Sequence, residues 1–151
     1  MEIIIKPLTE ELAADYFDFL DNRAFTDNSP WGGCYCTGWQ MTKEQEKTEL
    51  LDKMEEGFSY GDENFVRVLR EIVIRQITSK ALQGYLAYVD GISIGWCNAN
   101  SKANFPLESA NGFRLYAPAE KKEKAVVCFE ISPEYRGKGV ATALLNRAVA
   151  D

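Results

Sequence analysis

The chain has 151 residues, 46% hydrophobic and 26% charged, with a net charge of −6 and a pI near 4.8. That is enough chain for one soluble domain with a single sizeable core, and the acidic balance argues against a nucleic-acid or anionic-membrane partner. Histidine is absent, which removes the commonest general base, the Ser-His and Cys-His nucleophile pairs and most zinc sites, and leaves proton transfer to Asp, Glu, Tyr, Cys or water.

No run approaches the roughly 18 apolar residues that span a bilayer. The amino terminus, Met1-Glu-Ile-Ile-Ile-Lys-Pro7, does not have the order of a signal peptide. A cytoplasmic location is therefore expected, with Cys34, Cys36, Cys97 and Cys128 as reduced thiols. Cys34-Tyr35-Cys36 has no second pair nearby and does not read as a zinc site, so no metal is expected.

Glu2 to Lys6 is a short β-rich run closed by Pro7, an edge strand. Thr9 is placed to cap a helix over Glu10 to Asp21, with Leu12, Tyr16, Phe19 and Leu20 on one face and Phe17 widening it. Residues 22–40 are irregular: Gly32, Gly33, Gly38 and Pro30 forbid a long regular element. Trp31, Tyr35 and Trp39 nevertheless need something to pack on. Thr42 to Gln45 is a capping box opening a helix to about Glu56, with Gly57 as the stop. A third helix is predicted over Asn64 to Ser79, with Phe65, Val66, Leu69, Ile72, Val73 and Ile77 inward.

Leu82 to Val89 and Ile92 to Ala99 read as two strands joined by Asp90-Gly91, a two-residue hairpin signal. Asn100 to Lys124 is a long polar connection, either mobile or bordering a site. Ala125 to Ile131 is an almost continuous apolar run, as in a strand buried on both faces. Ser132-Pro133 ends it. After Arg136-Gly137-Lys138-Gly139 a helix begins, with Val140, Leu144, Leu145 and Val149 at helical spacing.

A strand, a glycine-rich turn and a helix in that order have a chemical consequence. The first helical turn carries amides without internal partners, and the macrodipole adds partial positive charge. Gly137 and Gly139 leave room for a ligand, and Arg136 and Lys138 add cations. The product is an anion cradle suited to phosphate or pyrophosphate, unless the segment is only a surface turn. A Walker loop needs a spacing absent here, and a Rossmann fingerprint needs glycine where Thr142 stands.

Arg136-Gly137-Lys138-Gly139-Val140-Ala141 resembles the Arg/Gln-x-x-Gly-x-Gly/Ala signature of the GNAT acetyltransferase superfamily, with the apolar strand before it and an Ala/Leu-rich helix after it. The resemblance implies an α/β (α+β) fold, a mixed, mostly antiparallel central sheet flanked by helices, in one domain over residues 1–151. It implies acetyl-CoA as acetyl donor, with its pyrophosphate on the amides of Arg136 to Ala141 and its pantetheine arm along the preceding strand. An amide of Phe129 or Ile131 would then face the thioester oxygen. The acceptor would be a primary amine on a small molecule or peptide, of cationic type given the acidic balance. In this pattern Trp31, Tyr35 and Trp39 would line the acceptor pocket; alternatively the loop buries its own aromatics.

Glu130 is the best-placed base on the strand, unless it points outward or into a salt bridge. Cys128 as an acyl-carrying nucleophile is weaker, since buried apolar cysteines are inert. The element order resembles the first two-thirds of a GNAT domain. The expectation is therefore a chain incomplete at its carboxyl end, or one completed by another chain, as in a homodimer. A different functional class also fits: a catalytically silent acyl-CoA-binding domain that uses the Trp31 to Trp39 loop for a partner.

Overall fold

A computed structural model of the chain describes every residue except Trp31, Phe113 and 115–122. Four strands, β1 (Ile4–Pro7), β2 (Gly84–Val89), β3 (Ile92–Ser101) and β4 (Lys124–Ile131), form one sheet in the order β1-β2-β3-β4. Every neighbouring pair is antiparallel. The helices are α1 (Ala13–Asn22), α2 (Lys43–Glu49), α3 (Glu63–Thr78) and α4 (Val140–Ala150). Among the described residues no helix is long and apolar enough to cross a membrane.

Side chains on a strand alternate between faces, so each strand feeds two cores. On one face Leu86, Tyr88 and Trp96 pack against Tyr16 and Phe19 of α1 and Leu69, Ile72 and Val73 of α3. Trp96 is fully buried, its ring edge-on to Tyr16 with centroids 4.8 Å apart. On the other face Ala87, Ile94, Cys97 and Ala99 meet Val140, Leu144 and Ala148 of α4. The result is a sheet between two helical layers, with α4 the only helix on its side among the described residues.

The hairpin forms as its dipeptide predicts. Asp90 and Gly91 take φ of 50° and 79°, and Val89 pairs with Ile92. A two-residue turn of this hand needs positive φ at both central positions, which Asp-Gly tolerates. Two register shifts follow. Ile94 is the extra residue between the Ala87–Gly95 and Tyr88–Ser93 pairs, and Val127 is the extra residue between Asn98–Cys128 and Ala99–Val126. Such bulges bend a strand and increase its twist.

Several expected boundaries move. Glu10–Leu12 is a 3-10 turn leading into α1, and the Thr9 side chain makes no cap bond. The capping box at Thr42 and Gln45 is formed, yet α2 stops at Glu49 and not near Glu56. Leu50 there takes non-helical dihedrals and is buried, so the core contact overrides helix propensity. In α3 Val68 lies in the core and Val66 only at its margin. The strand expected to be buried on both faces is the edge of the described sheet, and Phe129 is 37% exposed. In α4 the buried stripe is Val140-Leu144-Ala148, while Leu145 and Val149 face outward. A residue next to Leu144 is turned about 100° around the axis, so an apolar side chain there misses the sheet. Part of the long connection is tied down: Ala110 N–H donates to Met41 O at 2.8 Å, beside the turn at Thr37–Trp39.

Gly84 marks the closest approach of β2 to β3. A Cβ there would lie 1.9 Å from the Cys97 carbonyl oxygen and 2.5 Å from the Trp96 ring. Gly84→Ala is expected to cost about 1–3 kcal/mol, because neither backbone nor buried indole can yield. Denaturant unfolding should show a lower midpoint at unchanged slope; an unchanged midpoint would mean that the two strands separate freely there.

Candidate active site

The site begins where β4 ends. Ser132, buried, donates its N–H to Ile94 O at 3.0 Å, the last rung toward β3. Along a strand successive N–H groups point to opposite sides. The amides of Phe129 and Ile131 therefore face away from β3, toward the open edge. Consistent with that direction, Ile131 O accepts from Arg136 Nε at 3.1 Å.

A 3-10 turn, Pro133–Tyr135, then swings the chain off the sheet. Gly137 and Gly139 take φ of 72° and 84°, a region that side chains avoid. A Cβ at either glycine would meet nothing within 4 Å, so the space in front of the turn is open. Gly139 precedes α4 and no side chain caps it. Ala143 N–H makes the bond back to Gly139 O, at 3.0 Å. The amides of Val140, Ala141 and Thr142 thus lie in the unpaired first turn. Val140 is buried against the sheet and offers a ligand only its backbone, whereas Ala141 is exposed.

Gly95 lets this helix start sit where it does. A Cβ there would lie 3.0 Å from Val140 Cγ1 and 3.1 Å from Ile131 Cδ1. The turn, the strand end and the helix start are packed around that one backbone position.

The two cations of the turn are used differently. Arg136 Nη1 donates to Asp27 Oδ2 at 2.6 Å, bridging 109 residues of sequence. That bond holds the Asp27 carboxyl below the usual range. Lys138 Nζ lies 5.3 Å above the Tyr135 ring. No sequence pattern signals the Asp27 partner, because the segment that carries it is irregular.

Glu130 pairs with Trp96 across the sheet and therefore lies with it on the face covered by α1 and α3. It is half-buried, and burial raises its pKa; the Asp27 carboxylate adds to the rise and Arg136 opposes it. Cys128 stands two residues earlier on the same face, opposite Asn98. Asn98 is itself buried and accepts from Gln40 Nε2 at 2.9 Å.

Of the aromatic loop, Tyr35 is only 4% exposed. Its hydroxyl donates to Asp21 and accepts from Arg70 at 3.3 Å, and its ring is edge-on to Phe17 at 5.6 Å. Its carbonyl accepts from Tyr16 OH at 2.8 Å. This ring faces α1 and α3. Trp39 is half-buried against the same core, and Trp31 lies outside the described residues.

Known proteins resemble this arrangement. Residues 39–151 match the family model described as Acetyltransferase (GNAT) family. No curated protein matches the sequence. An acetyltransferase from Corynebacterium glutamicum related to histone acetyltransferase HPA2 is 18% identical with a TM-score of 0.52, covering 99% of this chain and 71% of its own. An aminoglycoside acetyltransferase from an uncultured soil metagenomic sample is 14% identical at a TM-score of 0.52, with the same coverage of 99% and 71%. AAC(6')-Iy, solved with the bisubstrate analogue CoA-S-monomethyl-acetylneamine, is 11% identical at 0.50, covering 99% and 71%. These likenesses are to the fold; the sequence match over residues 39–151 goes further, and by it the chain belongs to the GNAT acetyltransferase family.

Proposed function

We propose that this chain is an acetyl-CoA-dependent N-acetyltransferase acting on a primary amine of a small molecule or peptide, with donor and acceptor held together. One observation carries the reading: two left-handed glycines open the space in front of the uncapped start of α4, directly after a strand whose outer amides are directed to its free edge. Amides at a helix start with no side chain in the way suit a pyrophosphate.

Acetyl-CoA supplies the acetyl group as a thioester. The amides from Gly137 to Ala141 hold the pyrophosphate, with Lys138 as the nearby cation. The Arg136 guanidinium acts differently, tying the turn to Ile131 and to Asp27. Phe129 and Ile131 direct their N–H groups along the edge of β4, where one of them supports the thioester oxygen as charge develops. Glu130 takes the proton that an incoming ammonium must lose, and its raised pKa moves it toward the range useful for that task. Half-buried Trp39 would line the acceptor pocket, on the turn whose Gly38 carbonyl accepts from Asn111 N–H at 3.4 Å. With a net charge of −6, the chain favours a cationic amine through long-range attraction.

Calorimetric titration of coenzyme A tests the cradle. Micromolar binding is expected for the wild type, and Gly139→Asn should weaken it by more than about tenfold, roughly 1.4 kcal/mol. Asparagine tolerates the left-handed region, so the thermal midpoint should move little. Absence of binding by folded wild-type protein would remove the reading, and binding without turnover across an amine panel would leave a silent acyl-CoA-binding domain.

Glu130→Gln is expected to lower turnover about 10²-fold at saturating amine. The wild-type rate should rise with pH through the elevated Glu130 pKa, and that limb should vanish in the variant. Stability should move the other way. A carboxyl with a raised folded pKa contributes stability fully present below its unfolded value, and loses it as pH rises through the folded one. The glutamine variant should therefore melt higher than wild type at pH 7, with the gap closing below about pH 4. Unchanged turnover would assign proton removal elsewhere.

A further inference from the structure

The segment that leaves α1 is held in the core at both ends. Ala24 is fully buried, and Tyr35 is tied to Tyr16 through its carbonyl and to Asp21 through its hydroxyl. Between these anchors Asp27 is exposed and reaches across to the glycine-rich turn, where its Oδ2 accepts from Arg136 Nη1 at 2.6 Å. Asn28, at φ 59°, turns the backbone directly after that carboxylate. Arg136 has a second contact that does not involve Asp27: its Nε donates to Ile131 O at 3.1 Å. The guanidinium therefore has a root on β4 and a separable bond to the segment after α1.

We propose that Asp27 is an internal counter-ion competing with the cofactor for Arg136: its carboxylate occupies the guanidinium in the cofactor-free protein, and the pyrophosphate of coenzyme A displaces it. The exchange presupposes the coenzyme A cradle proposed above. It makes Asp27 a positioning residue that acts on cofactor affinity through Arg136, from a part of the chain 109 residues away.

The bond to be given up is weak. Its side chains are 48% and 36% exposed, and ion pairs in such surroundings contribute little. The incoming group is the stronger partner. A pyrophosphate brings two charges and several acceptor oxygens to the same turn, and a guanidinium binds such oxygens in pairs. Little motion is needed, because Nε can stay on Ile131 O while the outer nitrogens change partner. The competitor is also always charged near neutrality. The Arg136 hydrogen bond holds the Asp27 carboxyl below the usual carboxylate range, so it is a full anion at pH 7. Arg136 thus stands in the cradle by sequence but is engaged elsewhere in the structure, and the exchange reconciles the two.

Calorimetric titration of coenzyme A into the whole chain, wild type against Asp27→Asn, tests the exchange by its sign. A pair that only positions the turn predicts weaker binding when it is broken, whereas a competing pair predicts tighter binding. Asp27→Asn should lower the Kd of coenzyme A about two- to fivefold, the scale of an exposed ion pair. Pantetheine, which has no pyrophosphate, should bind both proteins alike. In an Arg136→Gln background, where the amides and Lys138 keep binding measurable, the same substitution should leave the Kd unchanged. That arm separates loss of the pair from loss of one negative charge, which would tighten binding in either background. A Kd that stays level or rises in Asp27→Asn, or a gain that persists without Arg136, overturns the proposal and leaves the cradle standing. Coenzyme A that fails to bind folded wild-type protein removes the cradle, and the exchange with it.

Discussion

The absence of a side chain at Gly95 is the constraint on which the site depends. Val140 of α4 and Ile131 of β4 both pack onto that backbone position, at about the distance a methyl group would occupy. An alanine there would force the Val140 and Ile131 side-chain tips back by a few tenths of an ångström, and a bulkier residue would lift the start of α4 from the sheet. With it would go the relation between the outward amides of β4 and the open amides of the helix start, which are useful only together. The helix then stays in place through Leu144 and Ala148, so one apolar stripe seats a polar site. Positioning of this kind is where a scaffold contributes to chemistry, since small misplacements are costly.

The second organising feature is electrostatic. Arg136 joins the segment after α1 to the turn before α4 through Asp27, and anchors that turn to the strand through Ile131 O. The ion pair is partly exposed, with side chains 48% and 36% accessible, so its energetic worth is small. Its geometric effect is larger, because it brings both a cation and a carboxylate near Glu130: Arg136 lowers that residue's pKa and Asp27 raises it by less, so the rise comes from burial. A carboxyl that is costly to ionise is a liability to the fold and an asset to proton transfer. Perturbed groups of this kind cluster at functional sites for that reason.

The aromatic loop shows a division of labour. Tyr35 binds the loop to α1 and α3 through ring, hydroxyl and carbonyl. Held there, the loop buries Cys36 in the core that α1 and α3 share with the sheet and places Cys34 and Trp39 at its margin. Packing of one aromatic thus sets the surroundings of its neighbours. From the sequence the loop had two readings, a pocket wall or a self-buried turn, and Tyr35 takes the position of the second.

Much of the fold was legible in the chain because its signals are local. Asp90-Gly91 dictates a hairpin through positive φ at two positions, Thr42 and Gln45 dictate a helix start through reciprocal bonds, and Arg136 to Ala141 carries a family signature in six consecutive residues. Those features need no partner distant in sequence. What the tertiary structure alone decided involves residues far apart: Asp27 with Arg136, Gln40 with Asn98, and Gly95 beneath Val140. It also decided which apolar residues are buried, choosing Ala148 over Val149 and Val68 over Val66, and ending α2 early to bury Leu50. Periodicity specifies that a helix has an apolar face, but the direction of that face and the length of the helix depend on the surface it meets. Contacts across the chain arise only when packing closes the loops between them, and no short stretch of sequence encodes that.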